Sequence, residues 1–192
     1  ITNDYDSVDH GVALFTGSNM AGKSTFLRTI GLNAILAYAG ASVAAKSFRL
    51  PIYKIISYMR IKDNLNESTS TFKAELNRMK FILDTVAAHR DSFFLIDEML
   101  RGTNSVDKYL GSRAIIKKLV RMDGKGMVAT HDLQLSSLEG EFPGEIKNYH
   151  FDIRVDEGQM LFDYKLKIGE CKIFNASLLL KGIGVDIDEN IG

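Results

Sequence analysis

The sequence predicts an α/β fold: a mostly parallel central sheet flanked by helices, with an antiparallel hairpin in its C-terminal third. Three observations carry this. The apolar runs Val12-Ala13-Leu14-Phe15, Phe93-Phe94-Leu95-Ile96 and Gly126-Met127-Val128-Ala129-Thr130 read as strands buried on both faces, the pattern of parallel sheets. Stretches of helical apolar spacing lie between them, as right-handed crossovers require. After Pro143 the apolar period becomes two on either side of Asp156-Glu157-Gly158, which marks a hairpin.

The first strand runs into Gly17-Ser18-Asn19-Met20-Ala21-Gly22-Lys23-Ser24, a full match to the phosphate-loop pattern G-x-x-x-x-G-K-[ST]. A strand before it and a helical pattern after it supply the required context. Backbone N–H groups from Gly17 through Gly22 can close around the α- and β-phosphates at a helix N-terminus, with Thr25 next in the first turn. Lys23 can reach the β/γ oxygens, and the Ser24 hydroxyl is placed for Mg²⁺. The expected ligands are therefore ATP or ADP with Mg²⁺.

Phe26, Leu27, Ile30, Ala34, Ala37 and Tyr38 continue the helix, and Gly40 offers its stop. Residues 48–61 mix β-branched and aromatic side chains around Pro51 and read as a strand. Residues 62–70 are polar and read as a loop. Phe72, Leu76, Met79, Leu83 and Val86 then place one apolar stripe on a helix ending near Arg90, and that stripe is core. A third helix carries Leu110, Ile115, Leu119 and Val120. Tyr149, Phe151, Ile153 and Val155 alternate in one arm of the hairpin and Phe162, Tyr164, Leu166 and Ile168 in the other. A short final helix is expected from Asn175 through Leu178, Leu179 and Leu180.

Parallel strands deliver their polar residues to one edge of the sheet, where ligands bind in open α/β folds. Asp97 and Glu98 close one buried strand, and His131 and Asp132 follow another. Hydrolysis of a phosphoanhydride needs a metal beside the β/γ-phosphates and a group that activates water. Asp97 suits the metal, Glu98 the general base, and His131 a hydrogen bond to the γ-phosphate or the attacking water. Adjacent acids can also be a solvated pair, and a lone histidine is more often structural; the loop at Gly17 favours the functional reading.

These residues resemble the MutS-like branch of the ABC-type P-loop ATPases. Thr16 through Arg28 is close to that family's T-G-P-N-M-G-G-K-S-T-x-L-R, and Ser70-Thr71-Phe72 with Glu75 to its S-T-F-x-x-E. Asp97-Glu98-Met99-Leu100-Arg101-Gly102-Thr103 is similar to its D-E-x-x-R-G-T, and Ala129-Thr130-His131 to its A-T-H. Motif order and spacing agree over about two-thirds of the chain. Ser18 and Ala21 depart from the usual proline and glycine, Lys108 from a common glycine, and Lys172-Ile173-Phe174-Asn175-Ala176-Ser177 from the familiar S-Y-G-I, so the chain reads as a divergent member. The resemblance implies ATP hydrolysis in a homodimer with composite sites, Ser70 of one subunit addressing the γ-phosphate held by Lys23 of the other. Residues 101–107 would lie across the same interface. Ser70-Thr71 also reads as a helix N-cap, and both readings can hold together.

Balanced charge, 24 basic against 24 acidic residues, gives no global footprint for nucleic acid or an anionic membrane. The resemblance implies DNA contact through domains upstream of Ile1 in a longer parent chain, and the balanced charge predicts no stable DNA binding by residues 1–192, which read as a single domain. The start Ile1-Thr2-Asn3-Asp4 is neither a signal peptide nor an initiator methionine, no stretch has the length of a membrane span, and the single Cys171 excludes an internal disulfide. These features suit the cytoplasm and no membrane contact. An ABC-type transporter subunit shares the loop, the acid pair and the histidine, yet no L-S-G-G-Q-like signature precedes Phe93. A slow nucleotide-sensing module is the other alternative, against which Glu98 argues, since a sensor needs no base.

Overall fold

A computed structural model describes residues 1–59, 68–156 and 159–171. The expected helix from Asn175 and the segment from Lys172 to Ser177 lie outside the described residues. Six strands form one sheet: β1 Val12–Thr16, β2 Lys54–Tyr58, β3 Ser92–Asp97, β4 Lys125–Ala129, β5 Ile146–Asp156 and β6 Gln159–Ile168. Their order is β2-β3-β4-β1-β5-β6. Every neighbouring pair is parallel except β5 with β6, which is antiparallel.

Alternation along each buried strand divides the core between two faces. Val12 and Leu14 of β1, Phe94 and Ile96 of β3 and Val128 of β4 point to one face. There they meet Met79, Ile82 and Val86 of α2 (Ser68–Ala88) and Ile116, Leu119 and Val120 of α3 (Ser105–Arg121). Ala13, Phe15, Leu95, Met127 and Ala129 point to the other, beneath Leu27 of α1 (Lys23–Tyr38). Burying each large apolar side chain contributes about 1.5–3 kcal/mol, so both layers are needed to hold the sheet. Among the described residues, no helix is long and apolar enough to cross a membrane.

Local chemistry sets the element ends. Gly40, at φ 71°, lets the Ala41 N–H return to Leu36 O at 2.9 Å, a left-handed stop for α1. Asn104 caps α3 by accepting from the Asp107 N–H at 2.9 Å, while Lys118 and Arg121 complement the negative end of that helix.

The structure shortens and extends several expected elements. Of the strand expected over 48–61, the described residues pair from Lys54 to Tyr58, and residues 60–61 lie outside the described residues. The Tyr38 hydroxyl donates to Pro51 O and accepts from the Tyr53 N–H, tying the preceding residues to α1 instead. Helix α2 starts at Ser68, inside the stretch expected to be a loop. Strand β5 starts at Ile146 and pairs in parallel with β1 before it enters the hairpin, so one strand serves both halves of the sheet. A 3-10 turn, Leu133–Ser137, and the single-turn α4, Leu138–Glu141, fill the connection after His131.

Candidate active site

At the end of β1 the chain turns at Gly17, whose φ of 126° glycine enters without strain. A Cβ there would stand 2.7 Å from the carbonyl oxygen of Phe151 in β5, so the backbone contact with β5 requires glycine. The Ser18 hydroxyl accepts from the Met20 N–H at 3.4 Å and starts a 3-10 turn, Asn19–Ala21. Gly22, at φ 109°, then reverses the chain into α1. Lys23 and Ser24 open that helix, where unpaired N–H groups favour an anion. Ala21 is buried, Met20 and Thr25 are exposed, and the side chain of Asn19 lies outside the described residues.

Lys23 is 1% exposed, and its ammonium donates to Gly17 O at 2.5 Å and Ser18 O at 2.7 Å. Burial pushes its pKa down to about 8, against the opposing pull of Glu98 and Asp97. The carbonyls satisfy the ammonium without neutralising it. An anion would do both.

Strands β3, β4 and β1 are consecutive and parallel, so their carboxyl ends form one edge. On that edge Asp97 Oδ1 accepts from the Ser24 hydroxyl at 2.9 Å. The hydroxyl and carboxylate form a donor set suited to Mg²⁺, which takes its remaining oxygen ligands from phosphates and water. Among the described residues no group of three or more His, Cys, Asp or Glu side chains could hold a metal ion alone.

Glu98 and Leu100 adopt φ values of 59° and 56°. Such conformations cost about 1–3 kcal/mol in a non-glycine residue and need support from their surroundings. Support comes from the Glu98 N–H, which donates to Ala129 O at 3.0 Å, and from the buried side chain of Leu100. The buried Glu98 carboxylate meets His131 Nδ1 at 2.9 and 2.7 Å through its two oxygens, and Lys108 Nζ at 3.2 Å. Burial favours the neutral acid, but the hydrogen bond from His131 and the nearby Lys108 outweigh it and hold the carboxyl below the usual glutamate range. His131 is held in place by its neighbours: the Thr130 N–H donates to Phe15 O, and the Asp132 N–H to Thr130 Oγ1.

The loop, Asp97, Glu98 and His131 therefore meet at one sheet edge. Ser70 lies in the first turn of α2, which follows β2, the strand three places from β1 in the sheet; its side chain lies outside the described residues. Glu75 of the same motif links two elements instead, accepting from the Tyr58 hydroxyl at 2.8 Å and from the Gly102 N–H at 3.3 Å. A Cβ on Gly102 would stand 2.9 Å from Phe72 Cβ, so two separated sequence motifs pack directly together.

Two neighbours of the site escaped the motif reading. Lys108 of α3 reaches both Glu98 and His131. Tyr164 of β6 lies against the loop, its Cδ1 only 3.2 Å from where a Gly22 Cβ would stand, and its ring stacks on Phe162 at 5.7 Å. Tyr164 is 42% exposed with φ 51°, an aromatic face held open beside the loop.

The model of the family "MutS domain V" matches residues 13–178. Among relatives, a "DNA mismatch repair protein MutS" of Thermotoga neapolitana is 34% identical over 171 residues, covering 88% of this chain and 21% of the relative. Proteins of the same name are 38% identical over 170 residues in Leptospira interrogans, covering 87% and 20%, and 37% identical over 164 residues in Aquifex pyrophilus, covering 84% and 19%. The chain thus spans about a fifth of these relatives' length. The matched residues run from β1 through the loop, the acid pair and the histidine into the C-terminal third, and the chain belongs to the MutS domain V family.

Proposed function

We propose that this chain is the Mg²⁺-dependent ATPase part of a MutS-like DNA-repair or DNA-processing protein. The observation that carries the reading is the convergence of a complete phosphate loop, the Ser24–Asp97 pair and the buried Glu98–His131 pair on one sheet edge. The phosphates of ATP or ADP would bind the N–H groups of Gly17, Ser18, Asn19, Met20, Ala21, Gly22, Lys23, Ser24 and Thr25, exchanging the carbonyl partners of Lys23 for anions. Ser24 and Asp97 would hold Mg²⁺, which supplies charge neutralisation at the β/γ oxygens. Tyr164 offers its exposed ring to the base.

In the chemical step, a water oxygen bonds to the γ-phosphorus while the bond to the β-phosphate oxygen breaks and ADP leaves with the electron pair. Glu98, kept ionised by its partners, accepts the proton from that water. His131 orients the carboxylate through Nδ1 and addresses the γ-phosphate side of the site.

The functional unit in this proposal is a homodimer with composite sites, Ser70 of each chain completing the partner's loop. The place of α2 after β2, three strands away from the strand that carries the loop, supports this arrangement. DNA contact belongs to domains upstream of Ile1 in the parent, consistent with the balanced charge of these residues and with the names of the relatives. The direct test is phosphate release from Mg²⁺-ATP: Lys23→Ala should abolish nucleotide binding or turnover, and a variant with parental affinity and rate would refute the assignment of the loop.

A further inference from the structure

Lys108 is only 13% exposed at its side chain, and its ammonium lies 3.2 Å from Glu98 Oε2 and 3.4 Å from His131 Nε2. A lysine ammonium has donors and no acceptor, so it donates to both. With Nε2 accepting from Lys108, the His131 proton sits on Nδ1, which donates to Glu98. Three side chains, from the end of β3, the turn after β4 and the start of α3, thus close a ring of hydrogen bonds around the carboxylate. In this arrangement Lys108 occupies one acceptor position of the Glu98 carboxylate and the Nε2 lone pair of His131. Lys108 is also poorly placed for its own helix: it lies in the first turns of α3, where the helix dipole favours anions and disfavours a cation. Helix stability therefore does not account for it; the acceptors it meets at the site do.

Building on the ATPase reading above, we propose that Lys108 reads the γ-phosphate: it holds Glu98 and His131 when the loop is empty and passes to the γ-phosphate when ATP binds. Its departure frees the carboxylate for the proton of the attacking water and leaves the His131 Nε2 lone pair free to accept a hydrogen bond from that water. ADP brings no acceptor to this position and leaves the ring closed. Lys108 would then be the second lysine at the phosphates, separating ATP from ADP where Lys23 serves both.

The experiment measures the affinities of ADP and of a β,γ-imido ATP analogue for the parental chain and for Lys108→Met, Lys108→Gln and Lys108→Arg, with steady-state turnover alongside. Lys108→Met should lower the ATP-analogue affinity about tenfold while ADP affinity stays within about twofold, with kcat reduced and KM for ATP raised. Lys108→Arg should restore most of the preference, since it keeps the charge. Lys108→Gln reads the same ratio if the methionine variant does not fold. An unchanged ATP/ADP ratio in a chain that binds and hydrolyses ATP would overturn the role of Lys108 alone, as would a rise in kcat at constant ratio, which marks a simple brake. A parental chain that binds neither nucleotide would overturn the ATPase reading and this inference with it.

Discussion

Lys23 makes a prediction whose sign follows from its surroundings. In the nucleotide-free chain it is buried on two carbonyl oxygens with its pKa near 8, so it loses its proton readily as pH rises through that value. Phosphate oxygens in place of carbonyls favour the charged form and raise the pKa again. ADP binding should therefore take up protons in a fraction that grows from about pH 7 to about pH 9, and affinity should fall over the same interval. Calorimetric titration in two buffers of different ionisation enthalpy reads this directly; proton release at the alkaline end would contradict it. Gly17→Ala should cost about 1–3 kcal/mol in denaturant unfolding, because its φ of 126° and the Phe151 carbonyl both oppose a side chain. At this scale Lys23, Ser24, Asp97, Glu98 and His131 were legible because each belongs to a local motif or a strand end. Lys108 and Tyr164 were not. The first reaches Glu98 because α3 follows a tight turn, and the second reaches Gly22 through a strand two places away from β1; no periodicity encodes either contact.

Elements are held by their ends as much as by their faces. Asn104 supplies the N-terminal side-chain cap of α3 and also donates to Asp107 Oδ2 at 2.7 Å. Asn104→Ala should cost about 1 kcal/mol, read as a lower denaturant midpoint at constant slope. A change below a few tenths would show that the Asp107 N–H finds water equally well. The buried strands β1, β3 and β4 were legible as continuous apolar runs, and helices α1 and α2 as stripes of period near 3.6. Less legible was the dual use of β5, since pairing with β1 on one side and β6 on the other leaves no distinct mark on an alternating segment. The start of α2 was hidden for a similar reason: a polar first turn looks like a loop until the helix that follows is known.

At the scale of the whole molecule, one chain carries the loop and the base at the middle of its sheet edge and the Ser70 turn at the β2 end. If a second copy supplies Ser70, turnover per chain should rise with protein concentration, because the dimer population follows mass action. A 1:1 mixture of Lys23→Ala and Ser70→Ala chains should recover part of the activity, since one composite site in the heterodimer is intact. A concentration-independent rate without recovery would make each site self-contained. The shared edge was legible in the buried parallel strands; the order of the sheet was not, since the long crossovers from β1 to β2 and from β2 to β3 carry no mark of which strands they set side by side.

The claim on which the account depends is that Glu98 takes the proton from the attacking water. Its most direct test is Glu98→Gln, which keeps the shape of the side chain and removes the base. Mg²⁺-ATP binding should remain near the parental affinity while single-turnover hydrolysis falls on the order of 10²–10⁴-fold, and ATP-held dimers should accumulate in sedimentation. Hydrolysis at the parental rate would contradict the assignment and place the base elsewhere.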